Sequence, residues 1–190
     1  MGWWDWASIV LSPVAVVAFL MAIQPFLQLW FGGARLSIAF EKSDIGGHKV
    51  LEVRVYNKPI SNRLGRFLRL RRESADDVCA IVSVREHGTN KTIVSPTSPL
   101  LVVRGHKEES GHHVCIPASL MVHAACLILR PSDNGLSLLE DLENHVSQLV
   151  ELGEYDVTFT AINGAIVRQA RNTIVIHASG DFYWGEETKA

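Results

Sequence analysis

The chain has 190 residues, 47% of them hydrophobic and 20% charged, with a formal net charge of −2. That near balance excludes a general electrostatic attraction to nucleic acid, so nucleic acid is not an expected partner. Cys79, Cys115 and Cys126 are odd in number and lack C-x-x-C spacing, which excludes a disulfide-stapled scaffold.

From Trp6 to Ala34, between Asp5 and Arg35, the chain carries no charged side chain. About 20 helical residues cross a hydrocarbon core roughly 30 Å thick, so this stretch is long enough to span. Trp3, Trp4 and Trp6 flank one end and Trp30 with Phe31 the other, the spacing of an aromatic belt at each interface. The N-terminal flank lacks a signal peptide's basic residues, and Phe31-Gly32-Gly33-Ala34 is a poor A-x-A cleavage site. A single-pass membrane anchor is therefore expected over residues 1–35. Pro13 and Pro25 read as kinks within it. Arg35, Lys42 and Lys49 follow the span while no Lys or Arg precedes it, which predicts a cytoplasmic C-terminal domain. Ser8, Ser12, Ala15, Ala18 and Ala22 share one helical face, and Gln24 and Gln28 share another. Small residues and amides at such positions point to helix association, with a second copy or with another membrane protein.

Strand periodicity dominates the rest. Leu36, Ile38 and Phe40 alternate with polar residues, as do Leu51, Val53 and Val55. Leu68 and Leu70 alternate with Arg69 and Arg71, and Val78, Ala80, Val82 and Val84 continue the period of two. His87-Gly88-Thr89-Asn90 predicts a hairpin turn, and Pro96 and Pro99 interrupt pairing before Leu100–Arg104. Val114–Ile116 and the apolar run Val122–Leu129 follow, the latter reading as a central strand. A helical stripe from Leu138 to Val150, capped by Asp133 or Asn134 and stopped at Gly153, predicts one inserted helix over 136–150. Tyr155, Val157, Phe159 and Ala161 then alternate, and Asn163-Gly164 signals a hairpin returning through Ile166–Ile176.

Leu152-Gly153-Glu154-Tyr155-Asp156-Val157 resembles the approach to the penultimate strand of immunoglobulin-like sandwiches, where a tyrosine corner caps upstream backbone. Leu51–Asn57 followed by Ser74-Ala75-Asp76-Asp77-Val78 is similar to an early hairpin of prokaryotic immunoglobulin-like adhesion and scaffold domains. The Cys…Trp…Cys signature of antibody domains is absent. The resemblance implies a mainly β fold, an immunoglobulin-like antiparallel β-sandwich over 36–178 with its inserted helix and a tail over 179–190. It implies binding or scaffolding.

Two clusters have chemistry. Arg63, Arg66, Arg69, Arg71 and Arg72 place five guanidinium groups on one short segment, which reads as a solvated face ion-paired to Glu73, Asp76 and Asp77 or as a site for anionic lipid headgroups, a nucleic acid or a soluble phosphorylated ligand. His106, His112, His113 and Cys115 are metal-capable ligand types, but their spacing fits no established zinc pattern. No G-x-S-x-G elbow, P-loop or G-x-G-x-x-G occurs. The expectation is a non-enzymatic, membrane-anchored binding or scaffold module without cofactor, an accessory subunit or adaptor. Alternatives are an oligomeric membrane-perturbing effector, or a metal-binding sensor or enzyme built on the His106–Cys115 region.

Overall fold

The alternating segments pair as two antiparallel sheets that close over one apolar core. A computed structural model describes residues 13–89, 91–105, 109–138 and 148–185. An apolar helix, α1 (Pro13–Phe31), precedes β1 (Leu36–Ile45) and β2 (His48–Asn57). A short α2 (Arg63–Phe67) leads to β3 (Ala75–Glu86) and β4 (Thr92–Thr97), then β5 (Leu101–Arg104), β6 (Glu109–Gly111) and β7 (Val114–Ile116). The chain continues through β8 (His123–Ser132), β9 (Gly135–Leu138), β10 (Gln148–Leu149), β11 (Gly153–Asn163), β12 (Ile166–Ile176) and β13 (Phe182–Trp184).

The first sheet runs β1-β2-β8-β5-β6, with β9 and β10 continuing along the β8 edge. The second runs β13-β12-β11-β3-β4, with β7 paired to the start of β3. Leu51, Val53, Val55, Ala124, Cys126, Leu101 and Val103 face inward from the first sheet, and Val78, Ala80, Val82, Val84, Val157, Phe159 and Ile174 from the second. Val122–Leu129 contributes the central β8, between β2 and β5. The hairpin turns at His87–Thr89 and Asn163-Gly164 join β3 to β4 and β11 to β12, and Pro96 lies on the edge strand β4, where no ladder donor is needed. Phe182–Trp184, expected in a tail, pairs with β12, and Trp184 packs edge-on against Phe40 at 4.8 Å.

Three sequence expectations are corrected. Leu68–Arg71 is not a strand: Arg69 has φ 52°, the Leu70 amide bonds back to Gly65, and buried Leu68 covers the end of the core. The helix expected over 136–150 is replaced at its described ends by β9 and β10, which pair with each other, while residues 139–147 lie outside the described residues. Asp-Asn-Gly serves equally as helix cap or hairpin turn. The open edge of β8 decides for the hairpin, with Leu138 entirely buried. Finally, β2 and β3 do not form a hairpin, because they lie in opposite sheets and Lys58–Ser74 is the crossover between them.

At the end of the domain where α1 enters, Asn57 is completely buried. Its Oδ1 accepts the Arg35 amide at 3.0 Å, and its Nδ2 donates to the carbonyls of Glu73 at 2.8 Å and Ile116 at 3.1 Å. One amide thus joins the linker after α1, the crossover and the end of β7. Each net hydrogen bond contributes about 1 kcal/mol, and a buried group left unpaired costs more. Asn57→Leu, similar in volume, is expected to lose about 3 kcal/mol in denaturant unfolding of the sandwich. An unchanged midpoint would refute this role.

Candidate anion site at the helix junction

Among the described residues α1 buries none of its side chains; Phe19, Met21, Phe26, Leu29 and Trp30 are all more than 60% exposed. It is long and apolar enough to cross a membrane. Its only described ties to the domain are at its C-terminal end. The Gln28 carboxamide accepts the Arg71 amide at 2.9 Å and donates to the Arg71 carbonyl, mimicking one rung of a β-ladder. The Gly32 carbonyl accepts the Glu73 amide at 2.6 Å, and Arg72 Nη1 donates to the Gly33 carbonyl. Segment 71–73 therefore satisfies the carbonyls of Gly32 and Gly33 just beyond the helix, and Arg72 places its charge where the helix dipole favours a cation. A Cβ at Gly32 would sit 2.3 Å from the Gln28 carbonyl oxygen, so the close approach requires glycine there.

The five arginines come with this segment. Arg63, Arg66, Arg69 and Arg71 are exposed and Arg72 is half-buried. None pairs with a carboxylate among the described residues; Asp76 and Asp77 instead meet Cys115 and His113. Phe67, 64% exposed, and Leu120 and Met121, 69% and 82% exposed, lie on the same end of the domain. Gln28 is engaged within the chain, while Gln24, one turn earlier, has no hydrogen-bond partner among the described residues. Ser8 and Ser12 of the small-residue face lie outside the described residues, as do Trp3, Trp4 and Trp6.

Beside the clasp, a hollow of about 310 Å³ is lined by Leu27 and Phe31 of α1, Arg35, and Pro59, Ile60, Leu70 and Arg72 of the crossover. Ser61, Asn62 and Gly65 complete it. Burial, followed by the neighbouring Arg35 charge, lowers the Arg72 pKa from its ordinary value. Gly65 lets α2 approach its own leader: a Cβ there would meet Ile60 Cγ2 at 2.3 Å.

The metal candidates are not brought together. His106 lies outside the described residues. Among the described residues no three His, Cys, Asp or Glu side chains converge. His113 Nδ1 meets Asp77 at 2.8 Å, and the Cys115 thiol donates to Asp76 Oδ1 at 2.9 Å. That bond, with partial burial, pushes the Cys115 thiol up to about 11, away from the thiolate a metal would need.

A polar network that sequence reading missed covers the outer face of the first sheet. Glu52 is only 1% exposed and is held by the Ser43 hydroxyl, Arg54 and Arg104, the last at 3.0 Å. Burial raises the Glu52 pKa, but those donors outweigh it and hold the carboxyl below its ordinary value. Tyr56 donates to Glu41 at 3.1 Å and its ring lies tilted against His123 at 5.3 Å, whose pKa is lowered from its ordinary value by burial and then by the Arg54 charge. Glu52 alternates with Leu51 and Val53, so it read as a wet-face residue. Its burial depends on Arg104, distant in sequence, and carries no local signal.

No family model matches this chain, and no curated protein sequence matches it either.

Two measurements check these electrostatics. At pH 8 only about 0.1% of a thiol titrating near 11 is thiolate, so Cys115 is expected to alkylate very slowly; Asp76→Asn should accelerate it at least tenfold by peptide mass mapping. Arg54→Met leaves Glu52 buried with only the Ser43 hydroxyl and Arg104 as partners and is expected to cost about 2–4 kcal/mol at pH 7. Because the folded Glu52 pKa is depressed, that contribution exists above its unfolded value near 4.5 and disappears in acid. The stability difference between the two proteins should shrink as pH falls below 4.5 and vanish once the pH passes the depressed folded pKa.

Proposed function

We propose that this chain is a single-span membrane protein whose two-sheet domain is an immunoglobulin-like binding module, held at the membrane surface as an accessory subunit or adaptor. The observation that carries the reading is α1, apolar and uncovered along its length yet clasped to one pole of the domain. A soluble domain gains nothing from such a helix; lipid covers it at no cost. The arginines near its exit, Arg35 and Arg63 to Arg72, favour placing the domain beside an anionic cytoplasmic leaflet.

The strand order supports the immunoglobulin-like reading. β1-β2-β8-β5 opposite β12-β11-β3-β4 follows the A-B-E-D and G-F-C-C′ arrangement of such sandwiches. Tyr155 also donates its hydroxyl to the Glu151 carbonyl at 2.9 Å, the contact of a tyrosine corner. The function is localisation rather than catalysis: confinement to a membrane raises the effective concentration for a partner held there. The pole away from α1 is the surface offered. It carries the hairpin turns at Gly46-Gly47, Gly88 and Asp133–Gly135, with Ile45, Leu149, Leu152 and Tyr183 exposed between 39% and 62%. Exposed apolar side chains at a loop-bearing pole suit a protein partner.

Purification of the full chain from its native membrane in mild detergent is expected to bring a stoichiometric companion, lost on Leu149→Asp with Leu152→Asp while the chain stays folded. Release of the chain by alkaline carbonate would overturn the membrane placement. Recovery of the chain alone would overturn the adaptor role.

A further inference from the structure

The hollow between the last turn of α1 and α2 has an unbalanced lining. Arg35 and Arg72 both reach it, and no lining residue is acidic. Two like charges at one partly desolvated site are unfavourable unless an anion compensates them. Arg72 gives Nη1 to the Gly33 carbonyl, but its Nε is buried without a hydrogen-bond partner. Its Nη2 makes no hydrogen bond among the described residues, which leaves that end of the guanidinium for an oxygen of a phosphate or carboxylate.

The remaining lining narrows the ligand. Leu27, Phe31, Pro59, Ile60 and Leu70 form apolar walls, two of them from the helix itself. A small soluble phosphate would meet the cations and leave those walls wet. A lipid meets both, with its phosphate at the level of Arg35 and Arg72 and its chain running back along α1.

We propose that this hollow is a headgroup site for one anionic phospholipid, with Arg35 and Arg72 holding the phosphate oxygens and Leu27 and Phe31 flanking the departing acyl chain. The site rests on the membrane placement of α1. It differs from a diffuse attraction between exposed arginines and a charged bilayer, because Arg63 and Arg66 take no part in it. A zwitterionic choline lipid is disfavoured because its ammonium would add a third cation to the hollow.

Native mass spectrometry of the full chain in mild detergent, titrated with phosphatidylglycerol or phosphatidylcholine, tests the site. One phosphatidylglycerol per chain is expected, retained at least tenfold more tightly than phosphatidylcholine. Arg35 makes no side-chain hydrogen bond among the described residues, so Arg35→Gln leaves the clasp intact; it is expected to weaken phosphatidylglycerol about tenfold, roughly one charge-assisted bond. Arg63→Gln with Arg66→Gln should change nothing. Equal retention of the two lipids, an unaffected Arg35→Gln variant, or an equal loss in the Arg63/Arg66 pair overturns the site. Complete displacement by millimolar inorganic phosphate would assign the hollow to a soluble anion and overturn the lipid. Carbonate extraction run in parallel separates the two readings: Arg35→Gln should remain in the membrane pellet, and loss of the parent chain from it would count against the anchor instead.

Discussion

The buried Asn57 amide is the constraint on which the helix end of this molecule depends. Four stretches of backbone converge where β2 ends: the linker from α1, the crossover before β3, the end of β7, and β2 itself. The first three each bring one backbone group to the Asn57 side chain, and buried backbone groups must be paired. An aspartate at the same position has no donor for the Glu73 and Ile116 carbonyls, and a hydrophobe satisfies none of the three. Only a side chain with one acceptor and two donors of this length closes the junction. Without it, the segment holding Arg71 and Arg72 would lose its fixed place beside Gln28 and Gly33.

How far the fold was legible follows from where the deciding forces lie. Period-two alternation announced β1, β2, β3 and β11, because a strand with one buried face must write its sidedness into sequence. Asn163-Gly164 and the apolar run through Cys126 were readable for the same local reason. Leu68–Arg71 alternated too, yet forms an irregular cap: Leu68 is buried under the sandwich end without any strand beside it. Alternation reports sidedness, and a coil crossing the end of a core is sided as well. The ends of the expected helix at 136–150 went the same way, since Leu136 and Leu138 suit a stripe or a ladder equally. The free β8 edge, which local sequence does not display, chose the ladder.

The candidate site was legible in kind and not in construction. Arginine density between Arg63 and Arg72 marked the segment, but nothing local announced that Arg35 would share a hollow with Arg72. Gln28 illustrates the difference most directly. In sequence it is an amide in an apolar helix, which invites a partner helix. In the fold its partner is the backbone of Arg71, supplied by the crossover of the same chain. The acid residues beside the cluster, Asp76 and Asp77, are occupied by Cys115 and His113, which leaves the arginines uncompensated.

The rung between Gln28 and Arg71 has a mechanical consequence. A long flexible linker would let a domain wander above its anchor, whereas here only Gly32 to Arg35 separates helix from first strand, and that stretch is hydrogen-bonded to the crossover and to Asn57. In the proposed membrane placement, this coupling would make helix and sandwich move as one lever. A transmembrane helix tilts when bilayer thickness departs from its apolar length. With so short a coupling a tilt of α1 in a bilayer would be carried upward, so the far hairpins would sweep sideways and change height. The thickness of the surrounding bilayer would thereby set the reach of the domain.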